Sequence, residues 1–268
     1  MKEFNIFYLV GRRKENIVAI IPFFTMDFSL TTLIRGRIQK IIFFIRKFLK
    51  KILKIRILFI GAPITEELYI GVSKEENLEN IFDAALNKIE EFCKKEKIKI
   101  IAFYNLSKKH IALIDYLKRK KFVEMENFPN TLIEIKTNSL ENYIKNLSRG
   151  TRKDIKRKIK KVSKLVKLET VLYTKIDHII DEIYKLYLNN KNASDLQFEN
   201  LTPEFFINIS KNMPQETKWF ITKEKGEIVA FNLCFVKNNF CIDKFIGLDY
   251  SVAFKYNLYF MTFLNNID

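Results

Sequence analysis

The chain is short of the residues that break or staple a fold. Glycine occurs seven times and proline five times in 268 residues, which excludes collagen-like, linker-rich and low-complexity classes. Three cysteines, an odd number with no Cys-x-x-Cys, and two histidines leave no disulfide framework, no zinc cluster and no expected metal. A reducing cytoplasm fits that usage. Cys93, Cys234 and Cys241 fall in apolar settings and read as buried, inert thiols. His110 and His178 lie alone on expected helices and read as ordinary polar helix residues. Long apolar runs are missing too. Residues 4–10 are too short for an export signal core and run into Gly-Arg-Arg-Lys-Glu-Asn. Residues 16–34 hold one charge, but Pro22, Asp27 and a Ser/Thr-rich second half favour a pair of strands over a membrane span.

Acidic residues are absent where basic ones crowd. Residues 35–56 hold nine Lys/Arg and no acid, and residues 145–167 hold eleven with a single Asp. Together they carry +19 of a net +16, so the remainder is slightly acidic and the basicity is local. In the first stretch, apolar residues at 38, 41, 42, 45, 48, 49 and 52 make 38–53 a basic amphipathic helix. It either packs on a core or lies on an anionic membrane surface with Phe43, Phe44 and Phe48 at the acyl boundary. In the second stretch, Ile155, Ile159, Val162 and Val166 give one apolar stripe, and Thr151 stands as helix cap with Asp154 three residues on. That helix is either a solvated face or a phosphate or tRNA contact, with Arg149, Arg152 and Lys153 as the contacting residues.

Abundant Phe and Tyr (25 and 11) supply a real core. Periodicity predicts a first half of order β-β-α-β-β-α-β-α-β-β. Its strands are 4–10, 17–24, 55–60, 68–72, 99–104, 122–126 and 131–135, with helices at 38–53, 77–95 and 109–120. The strand 99–104 is too apolar for an exposed edge. From Ser139 a second half follows: helices at 139–147, 151–167, 177–189, 202–212 and 251–264, and strands at 168–173, 218–222, 228–235 and 240–248. Each half places antiparallel strands before a helix. The reading is α/β (α+β), with mixed, mostly antiparallel sheets flanked by helices and domains at 1–136 and 137–268.

The segment Ile-Ile-Ala-Phe-Tyr-Asn (100–105), followed by a helix ending at Lys121-Phe122 and a strand, resembles the strand-helix-strand end of a GNAT-type acyltransferase. Three further segments, 147–161, 226–236 and 246–260, occur in the order seen in tandem-GNAT proteins of the Fem-like and peptidoglycan- or cellulose-associated acetyltransferase group. The resemblance covers most of the chain. It implies two tandem GNAT-like folds, the second truncated after its central helix. It also implies transfer of an acyl group from acetyl-CoA, another acyl-CoA or an aminoacyl-tRNA to an amine, such as one on a cell-envelope precursor or polysaccharide. The protein would then be cytoplasmic and peripheral at the inner face of the membrane.

Under that resemblance the donor's phosphates lie at the turn into the last helix, against Ser251, Ala253, Phe254, Lys255 and Asn257. The family's glycine-rich loop is absent there. Amine acylation also needs a base and an acid, and Asp243 on a strand with Tyr250 or Tyr256 after it supply the types. A surface Asp in a hairpin is the plainer reading of Asp243. The alternative function is a non-catalytic scaffold that holds an anionic lipid, nucleic acid or polymer.

Overall fold

A computed structural model describes residues 4–29, 54–126, 130–194 and 200–267. The basic helix expected at 38–53 lies outside the described residues. The chain divides into two units, residues 2–131 and 132–268.

In the first unit β1 (Asn5–Arg13) and β2 (Asn16–Ser29) form a hairpin around Lys14 and Glu15, with Lys14 at φ 54°. Strand β2 pairs antiparallel with β3 (Lys54–Ile60) and with the two-residue β4 (Gly71–Val72), while β3 pairs parallel with β5 (Ile100–Phe103). The sheet is mixed. Helix α1 (Leu78–Glu96) starts where the Asn77 side chain accepts the Asn80 N–H, and ends at Lys97 in the left-handed region. With α2 (Ile111–Arg119) it buries Phe82, Ile89, Leu113 and Tyr116 against Ile21, Phe23, Leu58 and Ile60 of the sheet.

Two expectations fail here. Among the described residues the strand expected at 99–104, observed at 100–103, stands at the end of the strand order and Ile100 is exposed, while Phe103 packs on Phe82 and Phe122 toward the core. Residues 122–126 and 131–135 form no strands: Val123, Met125 and Leu132 are exposed and find no ladder partner among the described residues. Apolar content alone does not make a strand without a neighbour to bond.

The second unit is built on an antiparallel meander, β6 (Leu168–Tyr173), β7 (Thr217–Glu224), β8 (Glu227–Lys237) and β9 (Phe240–Leu248). Helices α3 (Leu140–Asn146) and α4 (Arg149–Leu165) precede it, and α5 (Ile180–Ala193) and α6 (Pro203–Asn212) interrupt it. Ser148, not Thr151, caps α4: its Oγ accepts the Thr151 N–H at 3.2 Å and meets Thr151 Oγ1 at 2.8 Å. The expected closing helix is two, α7 (Tyr250–Tyr256) and α8 (Leu258–Asn265), broken by Asn257 at φ 48°. One sheet face packs on α5 and α6, where Trp219, Phe206 and Phe231 are fully buried and Trp219 Nε1 donates to Ser210 Oγ at 2.9 Å. The other face receives the end of α8. Both units are thus α/β, each a sheet flanked by helices.

Candidate functional site

Alternation along β8 sends Phe231 and Leu233 to the aromatic side, so Ala230, Asn232 and Cys234 face the other way. Register places Asp243 opposite Cys234 and Cys241 opposite Val236, on the same face. The pairing shifts between Leu233 and Cys234, which makes Lys244 the extra residue of a bulge beside Asp243. Nδ2 of Asn232 donates to both carboxylate oxygens of Asp243, 3.0 Å each, and Nδ2 of Asn266, just past α8, donates to Oδ2 at 2.9 Å. The Cys234 thiol donates to Oδ1 at 3.9 Å. Asn265 extends this polar row by donating to Thr170 Oγ1 at 2.7 Å, and Thr170 meets Thr222 across the strands.

Asp243 is exposed on β9, yet desolvation by the groups packed around its carboxyl pushes it above the usual carboxylate range. The hydrogen bonds from Asn232, Asn266 and Cys234 act in the opposite sense and do not cancel that rise. Asn232 itself is buried, and its Oδ1 has no hydrogen-bond partner among the described residues; the same holds for Asn266 Oδ1. A carboxylate with a raised proton affinity and an exposed edge can accept a proton from an ammonium group.

The structure does not join Asp243 to either tyrosine by a hydrogen bond. Tyr256 gives its hydroxyl to Glu224 at 2.8 Å, and the half-exposed Tyr250 ring lies 6.4 Å from that of Phe254. The turn expected to take donor phosphates is already acidic: Asp249 caps α7, its Oδ1 accepting from the Ser251 N–H at 2.9 Å and the Ser251 hydroxyl at 2.7 Å. Ala253 is buried in the core beneath Leu248 and Leu258, Phe254 projects outward at 83% exposure, and Lys255 lies over the Tyr256 ring. Asn257 serves as the left-handed joint between α7 and α8.

On α4, Arg149 and Lys153 are exposed, whereas the Arg152 guanidinium donates to the Lys145 and Leu147 carbonyls at 2.8 Å each and so closes the end of α3. Lys156, Lys160 and Lys164 continue the exposed row. Asp154 is engaged by Arg157 and Lys158. The helix therefore presents cations that no carboxylate on it neutralises.

Neither histidine is part of this row. His110 Nδ1 accepts the Ser107 N–H at 3.1 Å and its Nε2 faces the Leu68 carbonyl at 3.1 Å, so the ring closes a loop. His178 lies against Tyr173 and lines a cleft of about 570 Å³ with Lys175, Asp177 and Lys211. A second cleft, about 660 Å³, is lined by polar residues that include Lys136, Asn142 and Lys145. Among the described residues no group of His, Cys, Asp and Glu is placed to hold a metal ion, and no helix is long and apolar enough to cross a membrane. Cysteine departs from expectation, because Cys241 is exposed.

Sequence reasoning misses Asn232 and Asn266. Asn232 had a signal, a lone polar side chain inside Ile-Val-Ala-Phe-Asn-Leu-Cys-Phe-Val. Asn266 had none, since only tertiary folding brings it to Asp243.

No curated protein matches the chain. Among solved structures, the crystal structure of FemX is similar over 99% of this chain and 77% of its own, at a TM-score of 0.51 and 9% identity, a likeness of fold alone. A conserved protein of unknown function from Bacteroides thetaiotaomicron covers 93% of this chain and 73% of its own (TM-score 0.42, 16% identity). The C-terminal domain of a putative lysylphosphatidylglycerol synthetase from Agrobacterium fabrum covers 91% and 64% (TM-score 0.42, 14% identity). Both TM-scores are too low to bear on fold. Over residues 61–255, which take in the helices of the first unit and the sheet of the second with Asn232 and Asp243, the sequence matches the model of the FemAB-like family, described as peptidoglycan biosynthesis/recognition, and the chain belongs to that family.

Proposed function

We propose that the protein is an N-acyltransferase of cell-envelope precursors, composed of two GNAT-like halves, that passes an aminoacyl group from a charged tRNA to an amine at the cytoplasmic side of the membrane. The observation that carries this reading is Asp243, a carboxylate of raised proton affinity set between two amides. In the reaction the carboxylate takes a proton from the acceptor's ammonium. The freed amine attacks the acyl carbonyl, the new C–N bond forms, and the ester C–O bond to the tRNA breaks. Tyr250 is the proposed acid for the leaving oxygen, since the Tyr256 hydroxyl is committed to Glu224.

Two features favour a tRNA over acyl-CoA as donor. The acidic cap at Asp249 and the missing glycines disfavour a pyrophosphate at Ser251–Asn257, including the contact proposed for Lys255. The exposed cations of α4, with Arg149 and Lys153 at its start, suit a long polyanion. Acetyl-CoA and other acyl-CoA donors are the competing case, and anionic lipid near segment 38–53 is a further proposed partner.

The test supplies labelled amino acids on tRNA, or labelled acetyl-CoA, with nucleotide-linked and lipid-linked peptidoglycan precursors. Transfer from tRNA is expected, falling by roughly 10²-fold or more in Asp243→Asn as for loss of a general base. Transfer from acetyl-CoA alone would reverse the donor assignment. Tight precursor binding with no transfer from either donor would establish the scaffold reading, which the Asp249 cap also favours.

A further inference from the structure

We propose that the protein self-associates through β1, whose free edge pairs antiparallel with the same strand of a second copy about a two-fold axis at Tyr8. Strand β1 stands at the end of its strand order, and among the described residues no strand pairs with its other edge. Which of its residues aim their backbone at that edge follows from β2. The Gly61 N–H, just past β3, donates to the Pro22 carbonyl at 2.8 Å, and the Ser73 N–H, just past β4, donates to the Val18 carbonyl at 2.9 Å. The even-numbered residues of β2 therefore turn their main-chain groups away from β1. In an antiparallel pair, directly opposed residues either exchange both bonds or both turn away. Ile6, Tyr8 and Val10 lie opposite Phe24, Pro22 and Ile20, so their N–H and C=O groups point out of the sheet's edge. Their side chains are exposed as well, at 42%, 66% and 43%.

An open row of this kind is a template for another strand, and edges are ordinarily guarded by charge, proline, a bulge or shortness. The other strands that end a sheet here are guarded: β5 has four residues, β6 carries Glu169, and β9 carries Asp243 and Lys244 at its bulge. From Asn5 to Gly11, β1 has neither a charge nor a proline. A two-fold axis normal to the sheet keeps each face on its own side, so opposed residues share parity. Centred on Tyr8, it maps the uncharged stretch onto itself. Tyr8 meets its own copy, Ile6 meets Val10, Phe7 meets Leu9 and Asn5 meets Gly11. An axis at Leu9 would instead set Arg12 against Ile6 and Arg13 against Asn5, and one at Phe7 would set Asn5 against Leu9. In the Tyr8 register, the outward-aimed groups of Ile6, Tyr8 and Val10 exchange paired hydrogen bonds with the partner strand, and apolar side chains oppose one another on both faces. One added strand pair is a small contact, in the class below about 1,200 Å² that marks transient association. The dimer is therefore reversible and depends on concentration.

The test does not depend on transferase activity. Sedimentation velocity of the full chain, from low micromolar to hundreds of micromolar, should show a monomer passing to a dimer and to nothing larger, since the two-fold pairing consumes the edge. Tyr8→Lys, at a side chain in solvent, brings two ammonium groups to the axis and should leave a monomer throughout, with circular dichroism confirming the fold. Cross-linking reads the register in a Cys241→Ser background, where the remaining cysteines are buried. Bonded partners in an antiparallel pair lie about 5.5 Å apart at Cα, within the reach of a disulfide. Tyr8→Cys should therefore give a covalent dimer under mild oxidation. Ile6→Cys, which the register sets about 13 Å from its own copy along the strand, should not. A wild type that stays monomeric at every concentration would mean that the edge is covered within the chain, and would overturn the proposal. Dimers that survive Tyr8→Lys, or that cross-link through Ile6→Cys and not through Tyr8→Cys, would overturn it too by moving the contact to another surface or register.

Discussion

Gly247 on β9 lies so close to Phe231 on β8 that a methyl group at its Cβ position would stand 2.1 Å from the ring's Cε1 and 2.8 Å from Leu186 Cβ on α5. Phe231 cannot retreat, since Trp219 and Phe206 pack on its other sides. Gly247→Ala is therefore expected to destabilise the protein by about 1–3 kcal/mol through overpacking. Urea unfolding followed by Trp219 fluorescence checks it: the midpoint should fall at unchanged slope. An unchanged midpoint would mean that α5 does not press on the sheet here.

Either Ser148 or Thr151 is a chemically competent cap for α4, and the structure chooses Ser148. Ser148→Ala should then cost about 0.5–2 kcal/mol, while Thr151→Ala, which removes only a hydroxyl hydrogen bond at the third helical position, should cost less. The two denaturation midpoints decide between them, and the reverse order would restore Thr151 as the cap.

Sequence periodicity locates elements well where both their pattern and their turns are local. The strands expected at 168–173 and 240–248 match the observed ones to the residue, the second opening directly after the Lys-Asn-Asn turn. What failed depended on neighbours distant in sequence. Ile133 and Ile135 look like strand residues, yet a strand exists only if another chain segment offers its N–H and C=O groups, and composition does not report that. Asn257 is helix-compatible until its φ is known, because Asn enters the left-handed region at low cost. Asp243 is reachable from sequence as a carboxylate on a strand. Its amide partners come from another strand and from the end of α8, and its raised pKa follows from a burial that only the fold sets.

The cation row on α4 leads to a salt prediction. Replacing Lys153, Lys156, Lys160 and Lys164 together by Gln should weaken binding of tRNA and flatten its dependence on salt. Each phosphate that is no longer neutralised should lower the slope of log K against log salt by about 0.7 for a single-stranded segment and about 0.9 for a duplex. Filter binding between about 50 and 200 mM salt reads the slope. Equal slopes for wild type and variant would leave α4 as a solvated face and move the tRNA contact elsewhere.

The last prediction concerns how Asp243 links stability to pH. Its carboxyl is raised above the ordinary 3.8, with burial the leading cause. Between the unfolded and folded values the native state binds more protons than the unfolded chain, so this group's contribution to stability declines as pH rises through that window. The carboxylates Glu76, Asp83, Asp154 and Asp177 are shifted downward by hydrogen bonds from Arg13, from Lys120 and Tyr116, from Lys158 and Arg157, and from Lys211. They act in the opposite sense, gaining stability as pH rises, and they mask Asp243 in the wild-type curve. Asp243→Asn removes the titration and leaves the others in place, so the difference between the two proteins isolates it. Urea unfolding of both from about pH 3.5 to 8 should show the wild type losing ground to the variant as pH rises above about 4, the ordinary carboxylate range, and a constant gap above the folded pKa. A difference that is flat with pH, or that grows in favour of the wild type, would mean that the carboxylate is not held above its ordinary pKa, which would remove the basis for its role as proton acceptor.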